Sequence, residues 1–130
     1  DSKLENIECV FYDCYHFIEQ ALNKGEKVLV HCVQGVSRSV TVVIAYLMLK
    51  LRISYSEAFE SVRKVRGIAS PNIGFIVQLM AFQRRIQNDS ESGQVKVFCV
   101  GSHQLEDPKT VVARYVCLSV DRPPLCPAFQ

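Results

Sequence analysis

From Ile7 the apolar residues Val10, Phe11, Cys14, Phe17, Ile18, Ala21 and Leu22 recur at steps of three and four. That spacing predicts an amphipathic helix with these positions on its inner face, ended by Gly25 just past the C-cap. Residues 28–31 read as a short buried strand, too short to be a helix alone. The apolar run from Val40 to Leu51 predicts a buried helix from about Ser39 to Lys50. Ser54, Tyr55, Ser56 and Glu57 fit a capping box, opening a third helix with Ala58, Phe59, Val62 and Val65 inward and Gly67 as its stop. Ser70 and Pro71 read as the N-cap and first position of a fourth helix. Its inward residues are expected to be Ile73, Ile76, Val77 and Met80, with Arg84 and Arg85 near its basic end.

Asn88 to Gly93 is a linker by composition. Beyond it, Val95–Val100 and Val111–Val120 are strand-like and the end is rich in proline. The chain therefore divides into a unit spanning 1–88 and an extension, 89–130, in which no residue suggests chemistry. A parallel strand needs both edges paired, and the strand at 28–31 has no certain partner within residues 1–88. As a bare polypeptide this chain is therefore expected to expose apolar surface and to be unstable or aggregate.

Composition narrows the classes. With 130 residues, 48% of them apolar, the chain can bury one core. A net charge of +2 points to neither nucleic acid nor membrane as a partner. No apolar run reaches the roughly 18 residues of a membrane span, and no stretch reads as a signal peptide. The six cysteines form no Cys-x-x-Cys pair and no zinc spacing. Cys32, which the chemistry below needs as a thiolate, implies a reducing compartment, cytoplasmic or nuclear.

The candidate chemistry lies between the strand and the long helix. Cys32 falls at the end of the strand, and Arg38 falls where the helix begins. A helix N-terminus presents free N–H groups and the positive end of the dipole, which together hold an anion. The same field lowers a cysteine pKa from about 8.5 toward roughly 3.5–7.5. Gly35 can take φ > 0 and curl the loop so that the N–H groups of Val33, Gln34, Gly35, Val36, Ser37 and Arg38 turn inward. Arg38 offers a planar fork for two phosphate oxygens, which a lysine could not. Ser39 can donate a hydroxyl to the Cys32 sulfur. His31 is better suited to orienting the loop than to acting as a base, since a thiolate needs none.

The segment His31-Cys32-Val33-Gln34-Gly35-Val36-Ser37-Arg38-Ser39 matches the signature of the cysteine-dependent protein phosphatases. Val43 to Met48, Ala69 to Phe75, and Gln78-Leu79 resemble the dual-specificity branch, above all the MAP kinase phosphatases of plants. The resemblance runs from Asp1 to about Gln87. It implies an α/β fold, namely the C-terminal part of a tyrosine-phosphatase-like domain: strand, phosphate-binding loop and helices. The earlier strands of its sheet would precede Asp1, so the chain reads as a fragment. The extension is either a sheet fragment of a following domain or a poorly ordered tail, and the continuation of the plant enzymes past this domain favours the first.

What the resemblance implies for chemistry is hydrolysis of phosphotyrosine and phosphoserine or phosphothreonine through a phospho-cysteine. MAP kinases are the implied substrates. The family places an acid on a loop a little over thirty residues before the cysteine, and Asp1 stands in that register. Asp13 is the runner-up, on the outer face of the first helix. Asn72 matches an asparagine that supports the loop. Arg38 and the helix dipole supply the positive field, so no metal or cofactor is called for.

The remaining candidates read as structural. Cys9 and Cys14 lie on or near the apolar stripe. Arg63, Lys64 and Arg66 form a basic cluster that could meet an acidic partner but more often marks a solvated helix face. His16 and His103 show no partner. Rival functions are a phosphoinositide phosphatase, which would carry lysines in the loop, an RNA 5′-triphosphatase, which would be more basic, and a phospho-binding protein or inactive fragment without turnover.

Overall fold

The computed structural model describes residues 5–92 and 116–118. A 3-10 turn, Glu8–Val10, leads into α1, Phe11–Asn23, followed by β1, Val28–Val30. Three helices come next: α2 at Arg38–Leu51, α3 at Tyr55–Val65 and α4 at Ile73–Ser92. A last strand, β2, spans Val116–Leu118 and pairs with β1 in parallel, Val28 opposite Val116 and Val30 opposite Leu118. The partner of β1 thus comes from within the stretch 111–120 that reads as strand in the sequence.

Helix α2 is the centre of the fold. Every residue from Ser39 to Leu49 is buried, and α1, α3, α4 and both strands pack on it. A helix apolar on nearly all sides must be covered on all sides, which is the reason the other helices surround it. Across the α1–α2 contact, Glu19 accepts a hydrogen bond from the Tyr46 hydroxyl at 2.7 Å and pairs with Lys50 at 2.9 Å.

The helix ends follow local chemistry. Gly25 has φ 74, its N–H reaches Leu22 O, and the N–H of Glu26 reaches Ala21 O, which is a Schellman ending. At α3 the capping box forms in both directions between Ser54 and Glu57. The Glu57 carboxyl accepts from the Ser54 N–H at 2.8 Å and also from the Ser54 hydroxyl at 3.0 Å, and these bonds hold it below its ordinary range.

The predicted faces need several corrections. On α4 the inward residues are Phe75, Leu79, Phe82 and Ile86, whereas Ile73, Val77 and Met80 stand 57%, 61% and 47% exposed. Two apolar stripes run along this helix at helical spacing. The one with two phenylalanines is buried, and Phe82 meets Phe11 and Tyr12 edge-on at 5.0 and 5.5 Å. The helix also begins later than expected. Asn72, not Ser70, caps it, its Oδ1 accepting from the Phe75 N–H at 2.9 Å. The composition-based linker at its other end is helical as far as Ser92.

Smaller corrections concern four side chains. Val65, at the last turn of α3, faces out at 47%. On α1, Tyr15 is buried and Phe17 is half exposed. Cys14 is buried as its position in the stripe implies, but Cys9 is exposed, its thiol donating to Asn6 O at 3.1 Å. Asp1, Val95–Val100, His103 and the proline-rich end lie outside the described residues.

Candidate active site

Strand β1 ends at Val30, helix α2 starts at Arg38, and the seven residues between them form a tight loop. Gly35 has φ 63, a conformation open to glycine and costly for other residues. This turn brings the Gly35 N–H to 3.2 Å from Cys32 Sγ. The Ser39 Oγ lies 3.4 Å from the same sulfur. Burial pushes the Cys32 thiol up, but the Ser39 hydroxyl and the N–H groups of Ser39, Gly35 and Val36 outweigh it and bring the pKa down to about 7. The thiolate is thus held near neutral pH by hydrogen bonds to its charged form.

A pocket of about 340 Å³ opens over this sulfur, lined by Cys32, Val33, Gln34, Val36, Ser37, Arg38, Ser70 and Asn72. Every position assigned to phosphate binding except Gly35 lines it, and Gly35 contributes its N–H beneath. Val33 is 77% exposed at the pocket's rim. Ser37 is buried and accepts from the Asn72 N–H at 3.0 Å, while its carbonyl accepts from Thr41. Asn72 therefore meets the loop through its backbone and caps α4 with its side chain. The Nε2 of His31 is buried with no hydrogen-bond partner among the described residues.

The segment between α3 and α4 lies against the outer side of the loop. Arg66 donates from Nε to Gly35 O at 2.6 Å and from Nη2 to Gln34 O at 3.4 Å. The Ser70 N–H donates to Val36 O at 2.9 Å. The basic cluster is therefore divided among three tasks: Arg63 lies over the Phe59 ring at 5.8 Å, Lys64 pairs with Glu60, and Arg66 grips the loop. Sequence reasoning missed this use of Arg66, because its partners are carbonyl oxygens 31 and 32 residues away and carbonyls leave no mark in a sequence.

Asp13 is exposed on α1 and lines a different groove, of about 350 Å³, with Val10, Cys14, Phe17, Ile18, Val28 and Val30. That groove is apolar and offers nothing to bind phosphate. Its cysteine, Cys14, is pushed up to about 11 by burial and then by the Asp13 charge, so it is a thiol at neutral pH. Among the described residues, no group of three or more His, Cys, Asp or Glu side chains could hold a metal ion. No described helix is long and apolar enough to cross a membrane.

Comparison with known proteins gives the family. Residues 1–85 match the family model of the dual specificity phosphatase catalytic domain. Dual specificity protein phosphatase 1B of Arabidopsis thaliana is 48% identical over 90 residues, covering 69% of this chain and 54% of that protein. Protein-tyrosine-phosphatase MKP1 of the same plant is 37% identical over 116 residues, covering 88% of this chain but 15% of that protein. The chain thus spans about half, or less, of the length of these relatives. Among solved structures, human tyrosine phosphatase-like serine/threonine/tyrosine-interacting protein superposes with a TM-score of 0.65 at 39% identity, over 67% of this chain and 58% of that one. Human DUSP28 gives 0.66 at 32% identity, over 68% and 62%. A loop that turns three N–H groups and a hydroxyl onto one cysteine, in a chain matched from residue 1 to residue 85, is thereby accounted for: this chain belongs to the dual specificity phosphatase family.

Proposed function

We propose that the protein removes phosphate from phosphotyrosine and from phosphoserine or phosphothreonine in protein substrates, through a phospho-cysteine formed on Cys32. The observation that carries this reading is the Cys32 sulfur, brought to a pKa of about 7 at the floor of a pocket that Arg38 also lines. Its thiolate attacks phosphorus, forming the S–P bond as the P–O bond to the substrate breaks. The departing oxygen takes a proton from Asp1, a role that rests on the resemblance alone. Arg38 and the loop N–H groups stabilise the equatorial oxygens. In the second step water gives a proton to the Asp1 carboxylate and attacks phosphorus, releasing inorganic phosphate. The Cys32 thiolate leaves toward the Ser39 hydroxyl, which is placed to donate to it.

MAP kinases are the proposed substrates, supported by the likeness to the plant MAP kinase phosphatases. The uncharged side chains of Val33, Gln34, Val36 and Ser37 suit a single phosphate rather than the several of a phosphoinositide. The test is hydrolysis by the intact protein of phosphotyrosine and of doubly phosphorylated kinase peptides, with the Cys32→Ser variant alongside. Turnover is expected to vanish in Cys32→Ser while phosphopeptide binding persists, because the N–H cradle and Arg38 remain. Substantial hydrolysis by that variant overturns the mechanism.

A further inference from the structure

The contacts of Arg66 coincide with the most demanding part of the site. A peptide group is planar and trans, so the C=O of one residue and the N–H of the next point in opposite directions. Arg66 binds the carbonyls of Gln34 and Gly35. The N–H groups on the other side of those same two peptides belong to Gly35 and Val36, and both are directed at Cys32 Sγ. The third peptide in the row is held likewise, with Val36 O bonded to the Ser70 N–H.

We infer that Arg66 is a positioning residue for the phosphate loop: its guanidinium holds the outer carbonyls of the two peptide groups whose inner N–H groups face the Cys32 sulfur. The inference rests on the phosphatase reading above. The need for such a clamp is electrostatic. The N–H dipoles of Gly35 and Val36 converge on one point and repel one another, which favours rotation of a peptide away from the sulfur. A carbonyl held by a permanently charged guanidinium resists that rotation, and the bond polarises the peptide so that its N–H becomes a better donor. Gly35, which has φ 63 and no side chain to lock it, is the residue most in need of the restraint. Arg66 is itself fixed, since it is the C-cap residue of α3, with its N–H on Val62 O.

The experiment compares Arg66→Ala, Arg66→Gln and the surface control Lys64→Ala in the intact protein. Four quantities are read: the affinity for inorganic phosphate as a competitive inhibitor, kcat/KM for a phosphotyrosyl peptide, the pH midpoint of iodoacetate inactivation at Cys32, and the melting temperature. In Arg66→Ala, phosphate is expected to bind about tenfold more weakly, less than the 10²–10³ typical of a donor that touches the reacting group directly. The inactivation midpoint is expected to lie above that of the unaltered protein, because the Gly35 and Val36 N–H groups that favour the thiolate lose their restraint. Arg66→Gln, which keeps one N–H donor, should recover part of both effects, and Lys64→Ala should change neither.

A fall in melting temperature with phosphate affinity and midpoint unchanged makes Arg66 merely structural and overturns the inference. A loss confined to phosphopeptides, with inorganic phosphate bound as before, makes it a substrate-recognition residue and also overturns it. If Arg66→Ala does not fold, the same readings on Arg66→Gln decide. Activity surviving in Cys32→Ser would instead sink the phosphatase mechanism itself, so the two failures are distinct.

Discussion

The Ser39 Oγ sits 3.4 Å from Cys32 Sγ, across the turn by which the loop enters α2. The attacking form is the thiolate and the leaving oxygen needs a protonated acid, so kcat/KM for a phosphopeptide is expected to be bell-shaped, with the rising limb set by Cys32 near pH 7. Ser39→Ala removes a group that lowers the thiol pKa, so this acidic limb moves upward. A hydrogen bond to a charged group contributes about 1.5–3 kcal/mol, and one pKa unit is about 1.4 kcal/mol. Since water replaces part of the lost bond, a shift of about one unit is expected. A pH profile of the variant measures it, and an unmoved limb would leave the backbone N–H groups as sufficient by themselves.

Arg38→Lys separates binding geometry from charge. Lysine keeps a positive charge at the mouth of the helix but loses the planar fork. The turnover number should fall by about 10²–10³, the loss seen when a well-aimed donor to developing charge is removed. Alkylation of Cys32 should change much less, because the groups that lower its pKa are the Ser39 hydroxyl and backbone N–H groups. Iodoacetamide reactivity against pH, measured beside kcat, checks this, and an equal collapse of both would make thiol ionisation the main task of the arginine.

Asp1→Asn, made in the intact protein, should slow hydrolysis of phosphopeptides far more than hydrolysis of an aryl phosphate whose leaving group needs little protonation. Asp13→Asn should affect neither, since Asp13 lies on the exposed face of α1 beside the apolar groove. If both substrates lose activity equally in Asp1→Asn, the acid is another residue.

The two stripes of α4 can be told apart by stability. Phe82 is fully buried against Phe11 and Tyr12, so Phe82→Ala should cost about 3–5 kcal/mol of folding free energy in the intact protein. Val77, 61% exposed, should change stability by no more than about 0.5 kcal/mol when replaced by alanine. Chemical denaturation of both variants measures the difference. Similar losses would mean that the Val77 stripe is covered in the intact protein.

Local chemistry was legible in the residues alone. The strand, loop and helix around Cys32, the left-handed turn at Gly35, the Schellman ending at Gly25 and the Ser54–Glu57 capping box all depend on partners a few residues apart. So does the approach of Ser39 to the sulfur, because loop length and helix start fix it. Tertiary structure decided whatever depended on distant partners. Ile73, Val77 and Met80 have the same spacing and apolar character as Phe75, Leu79 and Phe82, and only packing against α1 and α2 selects between the two stripes. Ser70 and Pro71 look like a helix start, yet the Ser70 N–H is committed to Val36 O and the helix begins after Asn72. The pairing of β1 with Val116–Leu118, and the grip of Arg66 on two carbonyls, join segments far apart in the chain. Backbone carbonyls and N–H groups are the same at every position, so no sequence can say which of them a distant side chain or strand will find.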